Sequence, residues 1–220
     1  MPRRGGRDRS SVLEIVVGAV LVVLVALGGV VLSHRHYATF IDRWFFDLVP
    51  DRGDGALTWV TRLRYPAVIV AGSVVLAVVT VRRDRIRALS CLVGPPLALL
   101  TGELVVKPAV GRTLAGALSY PSGSTVGAAA LAMAAVLATA PRWRPVTAVI
   151  AVAYAAWMAV AVVALRWHFP TDAVAGVAYG IGLVVLVDGL VWWAVRAVGL
   201  AERRPFRRRG PATDTPPASA

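Results

Sequence analysis

Long apolar runs separated by short, arginine-rich breaks make up most of the chain. A hydrocarbon layer of about 30 Å takes around 20 helical residues to cross. Six runs reach or approach that length: 12–33, 65–81, 88–106, 122–140, 145–165 and 171–195. The pattern predicts an all-α, polytopic membrane protein with six transmembrane helices. Residues 1–11 form a basic leading segment, 12–195 the membrane domain, and 196–220 a basic, Pro-rich tail with the composition of disorder. The first run follows Arg3, Arg4, Arg7 and Arg9, as a signal peptide would, but it is too long for an h-region and no small-residue cleavage pattern follows it. It reads as a retained anchor. In the loop at 34–64, the piece Phe40-Ile41-Asp42-Arg43-Trp44-Phe45-Phe46 fits two readings equally, an amphipathic helix lying in the interface or a polar loop with aromatic anchors.

Composition supports the membrane reading. Hydrophobic residues are 57% of the chain, charged residues 16%, and the mean hydropathy is +0.68. These values exclude a water-soluble globule and a wholly disordered chain. A lone Cys91 excludes an intrachain disulfide and a cysteine-based metal site. The net charge of +12 would fit nucleic acid if it were clustered on one patch, but its placement is topogenic. Sixteen of the 24 basic residues lie before the first run, between runs two and three, between four and five, and after the sixth; the other 8 fall on the opposite side. The positive-inside rule therefore puts both termini in the cytoplasm, on a face that attracts anionic lipid. Trp44, Trp59 and Trp167 fall at the outer interface and Trp143, Trp192 and Trp193 at the inner one, leaving Trp157 mid-span in a packing role. The Arg-for-Lys and Ala/Val bias fits a GC-rich bacterial genome; no nucleic-acid partner is needed.

The predicted outer face gathers three polar segments: Lys107 to Arg112, Tyr120 to Thr125, and Arg166 to Asp172. Ser122, Gly123 and Ser124 open a helix, where free N–H groups and the dipole favour an anion and glycine admits close approach. Lys107 and Arg112 have the charge to neutralise phosphate oxygens. His168 becomes a nucleophile when a carboxylate fixes its tautomer, and Asp172 stands four residues on, across a helix start marked by Pro170. Taken singly these are a turn and N-cap, snorkelling interface cations and a capping pair. Their joint occurrence on one face points to phosphate chemistry.

The arrangement resembles the type 2 phosphatidic acid phosphatase (PAP2) superfamily, whose motifs are Lys-x6-Arg-Pro, Pro-Ser-Gly-His and Ser-Arg-x5-His-x3-Asp. Lys107, Pro121-Ser122-Gly123, and His168 with Asp172 match, within a likeness covering roughly residues 35–190. The family's first Arg falls on Leu114, its second-motif His on Ser124, and its Ser-Arg pair on Ala161 and Val162. The resemblance implies a lipid phosphatase working without metal or cofactor, with His168 as nucleophile, Asp172 as its orienter, and Lys107, Ser122 and Gly123 on the phosphate. Ser124 joins the phosphate-binding set, and Arg112 and Arg166 are the nearest substitutes for the missing arginines.

A serine hydroxyl is too weak an acid to replace the family's proton-donating His. General acid catalysis is worth roughly 10²–10⁴-fold, and its loss weighs most on a poor leaving group such as an alkoxide. A diphosphate, which expels a lipid monophosphate, is the favoured substrate, a polyprenyl diphosphate in particular. His34 and His36 are the chain's remaining imidazoles and share the predicted face. Two rival readings stay open: a catalytically silent relative that binds phospholipid, and a small transporter or scaffold. Transporters show broken helices and midplane polar groups, whereas the polar groups here crowd one interface. Glu103 is spaced to pair with Lys107, Glu14 reaches headgroups, Asp188 has no evident partner, and Gly176 and Gly180 suit close helix packing.

Overall fold

The computed structural model describes residues 4–49 and 55–202. Helices α1 (Arg4–Leu32), α2 (Phe40–Leu48), α3 (Gly55–Thr61), α4 (Pro66–Val81) and α5 (Arg85–Thr101) come first. After them come α6 (Lys107–Val110), α7 (Gly123–Ala138), α8 (Arg144–Ala164) and α9 (Pro170–Glu202), with a hairpin of β1 (Thr113–Leu114) and β2 (Ala117–Leu118) between α6 and α7. All six apolar runs are helical. Four stretches are long and apolar enough to cross a membrane: Ser11–Leu32, Arg85–Val110, Pro141–Ala164 and Pro170–Gly199. Leu57–Arg64 and Pro66–Val81, bent by 67°, make a fifth if counted as one broken span. The run at 122–140 yields only the 16-residue α7, since Ser122 and Thr139 are already extended. At 1.5 Å per residue that is about 24 Å, short of the hydrocarbon thickness.

Helix α7 is the centre of the bundle, packed by α4, α5, α8 and α9, while α1 lies along α9. Its sequence explains the position, because Gly, Ala, Ser and Thr dominate it and leave room for neighbours on every side. At Gly176 and Gly180 of α9, a side chain would collide with Thr125 and the Val126 carbonyl of α7, so these glycines serve the close packing expected of them. The outer helices expose their large apolar side chains. Val12, Leu13, Leu27, Val30 and Val31 of α1 and Val149, Ile150 and Val152 of α8 are all exposed, an arrangement stable against lipid and unstable against water. Trp157 belongs with them: it is 54% exposed and does not pack inside.

Three local features go beyond the sequence reading. Residues 4–11 continue α1, and 196–202 continue α9, so both flanks are helical further out than their charge suggests; 203–220 lie outside the described residues. Of the two readings for 40–46, the helix is the one adopted. Thr39 and Asp42 close a capping box at its start, which turns one face of α2 into the bundle. Finally, α5 runs into a single π turn over Gly102–Val106 before α6, an irregularity that re-aims Glu103 and Lys107.

Candidate active site

Three chain segments converge at one end of the bundle. The first is the hairpin, whose two-residue loop, Ala115-Gly116, has positive φ at both positions (50° and 82°), the geometry that joins tightly twisted strands. It folds residue 112 back on 119, and the Ser119 amide donates to the Arg112 carbonyl at 2.9 Å. Next along the chain, Tyr120 donates its hydroxyl to the Val25 carbonyl of α1 at 2.6 Å, which pins the entry to α7. The third segment is the turn Leu165–Phe169 leading into α9, joined to the second where the Ser122 amide donates to the Asp172 carbonyl at 3.0 Å.

His168 sits in this junction, 9% exposed. Its Nδ1 lies 2.9 Å from the Ser119 carbonyl. A carbonyl only accepts, so Nδ1 carries the hydrogen and Nε2 keeps its lone pair. Burial, together with the positive charges of Lys107 and Arg64, pushes the imidazole down to about 4, only partly offset by the Ser119 bond. At neutral pH the ring is uncharged, with its lone pair on Nε2.

The expected His168–Asp172 contact is not made. Asp172 is the third residue of α9, and its Oδ2 accepts from the Phe169 amide at 3.1 Å while Oδ1 takes Arg112 at 2.5 Å. Both oxygens are spent on capping α9 and on the guanidinium, and Ser119 takes over the imidazole. Arg112 is likewise not a free phosphate clamp. It is fully buried between Asp172 and Asp42, with Nη2 2.7 Å from Asp42 Oδ2, Nη1 2.7 Å from Thr171 Oγ1, and its carbon 4.1 Å above the Phe169 ring. Burial works against the Asp42 carboxylate, but hydrogen bonds from Thr171, Thr39 and Arg112 outweigh it and hold the group below its ordinary range. Arg166 is also diverted. Its Nη2 donates to the Phe46 and Val49 carbonyls at 3.2 Å each, at the end of α2, where a cation complements the dipole.

Asp42 went unnoticed as a site residue in the sequence. Its one signal was the Thr39-x-x-Asp42 capping spacing, which fixes the start of α2 but not what the far carboxylate oxygen meets. Arg64 was missed too. It stacks over Trp167, 4.5 Å from the ring centroid, and its charge acts on His168. His34 packs on Gly111, and His36 Nδ1 lies 2.5 Å from Thr113 Oγ1, so both engage the 111–113 segment.

The helix start expected to receive an anion is that of α7. Ser122 precedes the helix without using its hydroxyl as a cap, and that buried Oγ has no hydrogen-bond partner among the described residues. The amides of Gly123, Ser124 and Thr125 lie in the first turn, where no helical carbonyl reaches them. Lys107 approaches with Nζ 2.7 and 2.9 Å from the two Glu103 oxygens. Glu103 itself leans over Gly123 so closely that any side chain at 123 would collide with its Oε1. Asp188 stands apart from this site, fully buried, with neither carboxylate oxygen hydrogen-bonded among the described residues.

A neutral, oriented imidazole near a lysine and a helix N-terminus over which Glu103 leans has the parts for attack on phosphorus. No curated protein and no solved structure is significantly similar to the chain. The sequence profile of the PAP2 superfamily, however, matches residues 66–196, more than half of the chain and all three polar segments. The protein belongs to the PAP2 superfamily, whose members are typically phosphatases of lipid phosphates.

Proposed function

We propose that the protein hydrolyses a lipid diphosphate, a polyprenyl diphosphate in the favoured case, through a phosphohistidine on His168. The observation that carries this reading is the His168 tautomer: Nδ1 tied to the Ser119 carbonyl, which leaves the lone pair on Nε2. The Nε2 lone pair attacks the terminal phosphorus, the bond to the bridging oxygen breaks, and the lipid monophosphate leaves with the electron pair. The Nδ1–H bond to Ser119 steadies the positive ring that results. Lys107, the Ser122 hydroxyl and the α7 amides take the phosphate oxygens, Ser124 lies at the same helix start, and Arg64 supplies the second cation. Asp172 acts through two intermediaries: it holds Arg112, whose carbonyl holds Ser119, which holds His168. It is a positioning residue.

The lipid chain has a place beside the site. An apolar groove of about 500 Å³ runs between α1, α2 and α9, lined by Leu24, Leu32, Ile41, Phe45, Tyr120 and Val174, and reaches Pro170 and Thr171 at the start of α9. Exposed Phe40 and Trp44 on α2 and Trp59 on α3 suit the headgroup layer. Charge placement orients this end toward the outside of the cell membrane, with both termini in the cytoplasm.

Two observations favour a second reading, a silent relative that only binds phospholipid: Glu103 leans over the start of α7, and Ser124 replaces the family's proton donor. Phosphate release by the purified protein, from a panel of lipid monophosphates and diphosphates with chelator present, decides between them. The phosphatase reading expects release, faster from diphosphates. No release from any substrate by folded protein supports the silent relative.

A further inference from the structure

We propose that Glu103 is the general base of the second half-reaction, taking the proton from the water that cleaves the phosphohistidine. The assignment rests on the phosphatase reading and deepens it. Ser124 leaves the site without the imidazole that elsewhere in the family handles the leaving-group proton. The lipid monophosphate leaving group departs without a proton, so a diphosphatase loses little in the first step. Water is different. It is a poor nucleophile until a base takes its proton, so the second step still needs an acceptor.

Glu103 is the carboxylate the fold brings to that position. The π turn at Gly102–Val106 swings it onto the first residue of α7, where a side chain at Gly123 would overlap its Oε1. A single π turn inside a helix is a recurrent mark of functional sites. Both carboxylate oxygens accept from Lys107 Nζ, at 2.7 and 2.9 Å, and an ion-paired carboxylate accepts a proton but has none to donate. It is 39% exposed, so water reaches it. The unpartnered Ser122 hydroxyl adjoins the same spot, and Lys107 links it to the nucleophile, since its charge acts on His168. When phosphate draws Lys107 toward its oxygens, the carboxylate is left beside the phosphoryl group.

The step balances. The water oxygen bonds to phosphorus, its proton passes to Glu103, and the P–Nε2 bond breaks with its electrons returning to the ring. His168 is neutral again with Nδ1 still protonated, inorganic phosphate departs, and Glu103 gives its proton to solvent.

The test uses the full-length protein in detergent, with a short-chain polyprenyl diphosphate labelled in its terminal phosphate. Rapid quenching counts label on the protein as well as label released. For Glu103→Gln the expected result is release slowed roughly 10²-fold or more, with label accumulating on His168 toward one per chain at a nearly unchanged rate of formation. Glu103→Asp, which keeps a carboxylate, and added formate should each restore part of the release. Glu103→Gln that turns over as well as wild type, or slows with a raised KM and no accumulated label, overturns the assignment by showing support of Lys107 only. A lowered KM without accumulation overturns it too, and makes Glu103 a plug. If the wild type itself releases no phosphate, the phosphatase reading fails, and this assignment with it.

Discussion

His168 shows how a few contacts set the chemistry of one residue. The sequence marks it through its spacing to Asp172 and the neighbouring Pro170. It does not disclose the partner, because the Ser119 carbonyl is a backbone group 49 residues away and no side-chain pattern encodes it. Burial beside Lys107 and Arg64 has a measurable consequence. With its pKa pushed down to about 4, the ring stays neutral across pH 5–8. The rate of label transfer to protein should therefore show no titration near 6.5 and should fall as pH drops through about 4, where Nε2 gains a proton. Stability follows the same sign. The unfolded chain binds the proton from about 6.5 downward while the folded chain resists, so stability declines between those two values. A transfer rate that halves near pH 6.5 would show the imidazole to be solvated, contrary to the buried geometry.

At the scale of elements, the Asp42–Arg112–Asp172 cluster joins three parts of the fold: α2, the hairpin and the start of α9. Hydropathy cannot reveal such a joint: the amphipathic pattern at 40–46 allows a helix but not what its buried face meets, and the hairpin is too short to give a periodic signal. Helices α1, α5, α8 and α9 were legible because lipid-facing helices must be apolar over their full length. Helix α7 was legible as apolar but not as short, because its burial by protein on all sides removes the need to match the bilayer. The cluster is fully buried, and removing one member of a buried pair leaves uncompensated charge at a cost of about 3–5 kcal/mol. Arg112→Ala should therefore lower the thermal midpoint in detergent sharply and loosen α2. Arg112→Lys should not restore it, as an ammonium cannot span two carboxylates and Thr171 as a guanidinium fork does. A phosphate clamp would behave differently, raising KM with the midpoint unchanged.

For the whole molecule, every residue placed in the reaction lies at one end of a helical bundle whose sides are apolar, which ties the chemistry to one face of a membrane. The proposal that this face is the outer one rests on charge placement. Ala117 is exposed at the hairpin on the same end, so a cysteine there, with Cys91 replaced, should react with an impermeant thiol reagent in intact cells. Labelling only after membrane disruption would reverse the orientation. Family membership shows the fold and points to phosphatase chemistry, while the proposed nucleophile rests on the His168 tautomer that leaves the lone pair on Nε2. The most direct measurement is a rapid-quench experiment in which the protein turns over a polyprenyl diphosphate labelled in its terminal phosphate. The account predicts acid-labile, alkali-stable label on His168, formed and discharged at rates that match phosphate release and lost in His168→Ala along with that release. Phosphate release that continues in His168→Ala, or proceeds in the wild type with no label on the protein at any time, contradicts it.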